Sequence, residues 1–447
     1  MSVKIIRGKR DMPELSVDTK ELFEAAVLCS SKTMYPDWLS LSGEGYVASI
    51  YKKYGEIISP MGCRAFLSPW YRRGGMHPAD ENDTPVFVGR FNIGAISLHL
   101  PLIYAKAKQE SKPFFDVLDY YLNLIRKLHL RTYDYLGEMK ASVNPLAYCE
   151  GGFYGGHLGL HDKIKPILKS ATASFGITAL NELEQLAHKK SLVEDGSFAL
   201  KTMEHINQMV EKFKEEDGRL YAIYGTPAEN LCGLQVQQFR KKHGVIENVS
   251  DRDYVSNSFH CHVSEEISPI EKQDKEKRFW DLCNGGKIQY VKYPIDYNMQ
   301  AFKTLLKRAM RLGFYEGVNL SLSYCDDCGH EELNMDVCPK CGSNKVTFGV
   351  FDRIELIKDK ETTKSPSNRP PYIYQIPLSF IPGVGGKTIE KLLDSFETEM
   401  NILHKLSEDD IESVVGEKVA KNIVNAREGN IKVESGGGGN YGKVTTS

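Results

Sequence analysis

Apolar residues recur every three or four positions between 114 and 139, with Phe115, Leu118, Leu122, Ile125 and Leu128 on one side. That period predicts the clearest helix of the chain. The same kind of pattern predicts helices over 22–29, 180–190, 198–216 and 300–312. Pro101 opens a further one reaching residue 108, because proline suits a first helical turn. Short apolar runs predict strands at 86–88, 95–98, 221–224, 259–262 and 288–293. Residues 1–20 are polar and weakly patterned.

Composition narrows the class without naming a chemistry. The 447 residues suffice for two or three domains, and 41% hydrophobic with 26% charged is ordinary for a globular protein. A net charge of −2 gives no general attraction to nucleic acid or membrane. No run of about 18 apolar residues occurs, so no helix is expected to span a bilayer. The first residues lack an apolar signal-peptide region, and the expected compartment is the cytoplasm. Four of the ten cysteines form two CxxC pairs, which favours metal ligation and free thiols over a disulfide framework.

Those pairs, Cys325/Cys328 and Cys338/Cys341, each precede a glycine. Two such tight turns can close a tetrahedral four-thiolate site. Zinc is the expected metal, in a structural role because no coordination position stays open. His260 and His262 would share one face of a strand, as metal ligands or as packed core, and no third ligand is evident. Residues 225–231, Gly-Thr-Pro-Ala-Glu-Asn-Leu, follow a strand-like run. They predict a helix start with Thr226 as N-cap and Pro227 as first helical residue, and its free N–H groups suit an anion. The stretch 59–67 reads as a tight turn with Cys63 at its tip, Pro60 and Gly62 shaping it, and Phe66 and Leu67 anchoring the return.

Several stretches then combine in order: 59–67, 89–98 (Gly-Arg-Phe-Asn-Ile-Gly-Ala-Ile-Ser-Leu), 172–177, 225–231 and 257–260, followed by the CxxC pairs. Together they resemble the anaerobic, class III glycyl-radical ribonucleoside-triphosphate reductases over about residues 20–347. The resemblance implies an α/β fold, part of a ten-stranded barrel, with Cys63 on a finger loop as the thiyl radical that removes the ribose 3′-hydrogen. It implies that Met61 and Asn92 line the substrate site and that Gly225, Thr226, Pro227, Ala228 and Glu229 take the substrate's phosphates. It also implies a ribonucleoside triphosphate substrate, a glycyl radical, a radical-SAM activase and a homodimer. Only 62 residues precede Cys63, and no Arg-x-Cys-Gly-Tyr loop follows Cys341. A first half-barrel and a radical glycine are therefore not located, and exposed sheet edges with poor solubility or obligate pairing are expected.

From about residue 338 the chain resembles the C-terminal part of the endonuclease Q family, through 338–343, 349–353, 369–372, 381–393 and 436–444. Residues 380–393, Phe-Ile-Pro-Gly-Val-Gly-Gly-Lys-Thr-Ile-Glu-Lys-Leu-Leu, look like a helix-hairpin-helix whose glycine amides can meet a DNA phosphate. Residues 351–447 carry 13 Lys+Arg against 15 Asp+Glu, which opposes strong nonspecific DNA binding. The expected organisation is a partial reductase barrel (1–320), a zinc ribbon (321–348), a linker (349–371), a small helical domain (372–430) and a flexible Gly-rich tail (431–447). Radical ribonucleotide reduction, by an incomplete or fused chain, is the leading reading. A DNA-binding repair module is the alternative.

Overall fold

A computed structural model describes residues 17–62, 64–262, 265, 267–293, 298–319, 322–325, 327–328, 330–333, 335, 337–347, 374–434 and 443–445. The chain opens with α1 (Val17–Thr33), β1 (Trp38–Leu39) and α2 (Tyr46–Tyr54). It continues through β2 (Phe91–His99), α3 (Leu100–Gln109), α4 (Phe114–Gly137) and the single turn α5 (Pro145–Tyr148). Then come β3 (Ala171–Thr178), α6 (Leu180–His188), α7 (Ser197–Asp217), β4 (Leu220–Gly225) and α8 (Glu229–His243). The next group is α9 (Pro269–Trp280), β5 (Gln289–Lys292), α10 (Met299–Arg311) and β6 (Tyr315–Asn319).

Helices and strands alternate, giving an α/β fold. β3 is the middle of a parallel sheet ordered β2-β3-β4. All eight of its residues are buried, as expected for a parallel strand covered on both faces. Ala171, Ala173, Phe175 and Ile177 join Leu118 and Leu122 of α4 and Ile206, Val210 and Phe213 of α7 in the main core. By alternation, Thr172, Ser174, Gly176 and Thr178 occupy the opposite, polar face. A second sheet is ordered β1-β6-β5, with β5 parallel to β6 and β1 antiparallel.

Three antiparallel strands, β7 (Leu322–Cys325), β8 (Glu331–Leu333) and β9 (Val346–Thr347), carry the four paired cysteines. Farther on, α11 (Gly386–Phe396), α12 (Glu399–His404), α13 (Glu408–Val415) and α14 (Glu417–Glu428) surround a small core of Leu392, Ile402, Leu403, Ile411 and Ile423. The linker (349–371) lies outside the described residues, as do Gly436 to Gly439.

Four expectations change. The 86–88 run is not a strand: Val86 N–H donates to Pro69 O at 2.8 Å, and Val88 is 81% exposed. Residues 259–262 are not a strand either, because a carboxylate on α9 takes the Cys261 N–H that a ladder would need. The tail is not wholly irregular, since β10 (Lys432–Glu434) pairs antiparallel with β11 (Lys443–Thr445). Finally, Thr226 does not cap α8. The N-cap is Ala228 at φ 60°, with no side-chain cap, and Pro227 lies before the helix. No helix among the described residues is long and apolar enough to cross a membrane.

Candidate active site

The turn at 59–67 forms as the sequence suggests. Met61 and Ala65 exchange both backbone hydrogen bonds, at 2.8 and 3.1 Å, and Gly62 takes φ 54° between them. Cys63 lies outside the described residues. Phe66 and Leu67 are buried behind the turn, and the Phe66 ring meets Tyr315 edge-on at 5.8 Å. Arg64 is 3% exposed and its guanidinium lies 5.7 Å from the Tyr290 ring centre.

A pair of glycines fixes this turn to the sheet. Phe66 N–H donates to Gly285 O at 3.1 Å, and Lys287 N–H to Arg64 O at 2.9 Å. On the other side, Gly285 N–H donates to Ile223 O at 2.7 Å, and Gly225 N–H to Gly286 O at 2.9 Å. Such a close approach needs residues without side chains. A Cβ on Gly286 would stand 2.2 Å from the Tyr224 ring and 2.9 Å from Arg64 O, and one on Gly285 would stand 2.5 Å from Ala222 Cβ. The finger turn and the end of β4 are thus both bonded to one short segment, Gly285 to Lys287, and share Gly285.

Asn92 sits where the β2–β3 register shifts. Its Nδ2 donates to Ser174 Oγ at 2.6 Å, and its Oδ1 accepts from Gly94 N–H at 2.7 Å. Farther along, Ser97 Oγ and Thr226 Oγ1 pair at 2.8 Å across Gly176, where a Cβ would stand 2.3 and 2.4 Å from those oxygens. The hydroxyl read from sequence as a helix cap is therefore engaged with β2. Ala228 offers the first-turn N–H groups of α8 no side-chain acceptor, and a helix start of that kind is one that suits an anion. The side chain of Glu229 lies outside the described residues. Ala228, Gly225 and Thr226 are buried, and Pro227 borders a cavity of about 780 Å³.

The loop after α8 lines this cavity. Glu182, fully buried, accepts from Ser256 N–H at 3.0 Å and Ser256 Oγ at 2.6 Å. Burial raises its carboxyl, and the two Ser256 hydrogen bonds oppose that shift. Asn257 then bridges to Thr178. His260 and His262 both line the cavity, but no metal-binding group among the described residues contains them. Sequence reasoning missed Ser97, Ser174, Glu182, Gly285 and Gly286. The Gly-Gly pair was the one available signal among them.

The two CxxC pairs do come together. Sγ of Cys325 lies 3.5 Å from Sγ of Cys341, and Sγ of Cys328 lies 3.5 Å from Sγ of Cys338. All four lie within 4.8 Å of one another. Thiolates about 2.3 Å from a tetrahedral ion stand about 3.8 Å apart, so the donor set fits a metal. Cys325 N–H donates to His330 O and Cys338 N–H to Ser343 O, which shapes each turn.

Comparison with known proteins identifies the family. Residues 3–355 match the family described as anaerobic ribonucleoside-triphosphate reductase. The anaerobic ribonucleoside-triphosphate reductase of Escherichia coli is 34% identical over 342 residues, covering 73% of this chain and 45% of that protein. The chain thus spans about half the length of the curated reductases it matches. A crystal structure of the anaerobic ribonucleotide reductase from Thermotoga maritima aligns over 73% of this chain and 49% of that one, with TM-score 0.47 and 16% identity. A lesion-specific endonuclease from Pyrococcus furiosus aligns over 28% of this chain and 35% of its own, with 31% identity and TM-score 0.21. The chain belongs to the anaerobic ribonucleoside-triphosphate reductase family.

Proposed function

We propose that this chain carries the substrate half of a radical ribonucleoside-triphosphate reductase. In this reading Cys63 is the thiol that becomes a radical and takes the ribose 3′-hydrogen. Met61 and Asn92 line the sugar, and residues 225–229 hold the phosphates at the open α8 start. One observation carries it: the finger turn and Gly225, the first residue of the phosphate turn, hang on the same short segment, Gly285 to Lys287. Radical chemistry needs fixed distance and excluded water, and such a joint supplies the first. The four cysteines hold a structural zinc ion. A glycyl radical raised by a radical-SAM activase would supply the unpaired electron, and the assembly is a cytoplasmic homodimer with a ten-stranded barrel.

The test is anaerobic alkylation of Cys63 by iodoacetamide, followed by mass spectrometry. A saturating ribonucleoside triphosphate should slow the modification severalfold, and an equal rate with and without nucleotide would remove the reading. A second reading concerns residues 374–428, taken as a helix-hairpin-helix domain that contacts DNA. It rests on the α11 start, where Gly385 stands as N-cap and makes no side-chain cap. Filter binding to abasic duplex should then exceed that of an equally acidic control protein.

A further inference from the structure

The cavity beside the α8 start contains a histidine with an unusual environment. His260 is 7% exposed, borders the cavity, and has no partner for Nε2 among the described residues. Its Nδ1 lies 3.0 Å from Glu276 Oε2. The other Glu276 oxygen accepts from Cys261 N–H at 2.9 Å, and Lys272 Nζ stands 2.7 and 2.8 Å from the two oxygens. Burial alone would raise the Glu276 carboxyl. The Lys272 and His260 interactions override it and hold it at about 2.

These contacts assign the tautomer. An ionised carboxylate only accepts, so the proton of His260 sits on Nδ1. Burial keeps the ring neutral, down to about 4. Nε2 is therefore a bare lone pair, oriented by a carboxylate that is itself held by a lysine. A buried acceptor left without a donor is costly. A lone pair repels an anion, and no group of metal ligands among the described residues includes His260. The group that suits this lone pair is one that brings an O–H or N–H.

The surroundings describe that ligand. Tyr254 and Tyr290 give the cavity aromatic walls, Asn257 and Asn319 give amides, and Pro227 belongs to both the cavity wall and the turn before α8. We infer that His260 Nε2 accepts a hydrogen bond from the sugar–base portion of a nucleotide whose phosphates rest at the α8 start. The assignment rests on the nucleotide reading above and adds to it a positioning residue, with Glu276 and Lys272 as its support.

The experiment uses the full chain with ¹⁵N-labelled histidine. In the free protein the His260 Nε2 resonance should fall at the position of an unprotonated imidazole nitrogen. Saturating CTP should shift it, whereas inorganic tripolyphosphate should not. By calorimetry, His260→Phe keeps the ring and should weaken CTP about tenfold, the loss of one buried hydrogen bond, while tripolyphosphate binding stays unchanged. Glu276→Gln should act alike, because its amide can donate to Nδ1 and turn Nε2 into a donor. A protonated Nε2 in the free chain, or a resonance that stays put when CTP binds, overturns the assignment and leaves the nucleotide reading intact. No CTP binding by the unaltered chain overturns both.

Discussion

Glu316 should make the chain less stable as pH rises towards 8. It lies on β6, fully buried, opposite Gln289 of β5. Gln273 Nε2 donates to Oε1 at 2.9 Å and Tyr293 Oη at 3.0 Å, while Oε2 has no partner among the described residues. Burial pushes the carboxyl from 4.5 to about 8, against the pull of those two hydrogen bonds. Between these values the folded chain holds a proton that the unfolded chain has lost. The stabilisation is full below about pH 4.5 and fades as pH climbs to 8. A difference of 8 − 4.5 = 3.5 in pKa corresponds to about 5 kcal/mol, with a slope near 1.4 kcal/mol per pH unit. That is comparable to the whole stability of a small domain, about 5–15 kcal/mol. Glu316→Gln keeps an acceptor for both donors and cannot ionise. Urea unfolding followed by fluorescence of the buried Trp38, Trp70 and Trp280 reads the effect. The stability gap between the two proteins should move in favour of Gln from pH 5 to 8 and level off above. Parallel curves across that range would refute the reasoning.

Three further outcomes are expected. Gly286→Ala forces a Cβ against the Tyr224 ring and Arg64 O, so it should cost about 1–3 kcal/mol and lower the melting temperature, with faster amide exchange at Met61 and Ala65. Metal analysis should find about one zinc per chain, lost when Cys325 and Cys338 are both replaced by Ser. Asn92→Ala removes the donor to Ser174 Oγ and the acceptor for Gly94 N–H, and should cost about 1–3 kcal/mol by thermal or urea unfolding.

The helices were legible because their pattern is local. The 3.6-residue period marks α4, α6, α7 and α10, and Pro101 does lie in the first turn of α3. The CxxC pairs were legible because their spacing alone brings the sulfurs close. What sequence did not show depends on partners far along the chain. Thr226 has the residue type of a cap, yet Ser97, on a strand far earlier in the chain, takes its hydroxyl. Residues 259–262 have strand-like composition, yet Glu276 withdraws a backbone donor and claims His260 as well. Neither competitor is visible in a local window. The finger turn became interesting only through resemblance, since its own sequence also fits a buried core turn.

The joint at Gly285 and Gly286 makes reach and grip a single dimension of the scaffold. A ligand pulling on the turn after β4 loads, through Gly225, the Gly286–Lys287 peptide that also holds Arg64 of the Met61–Ala65 hairpin. The hairpin's height cannot be retuned by lengthening its own stem without losing contact with that shared pivot. A chain adapting to a longer or shorter molecule would have to alter the pivot itself, and there any added carbon meets an aromatic ring or a carbonyl.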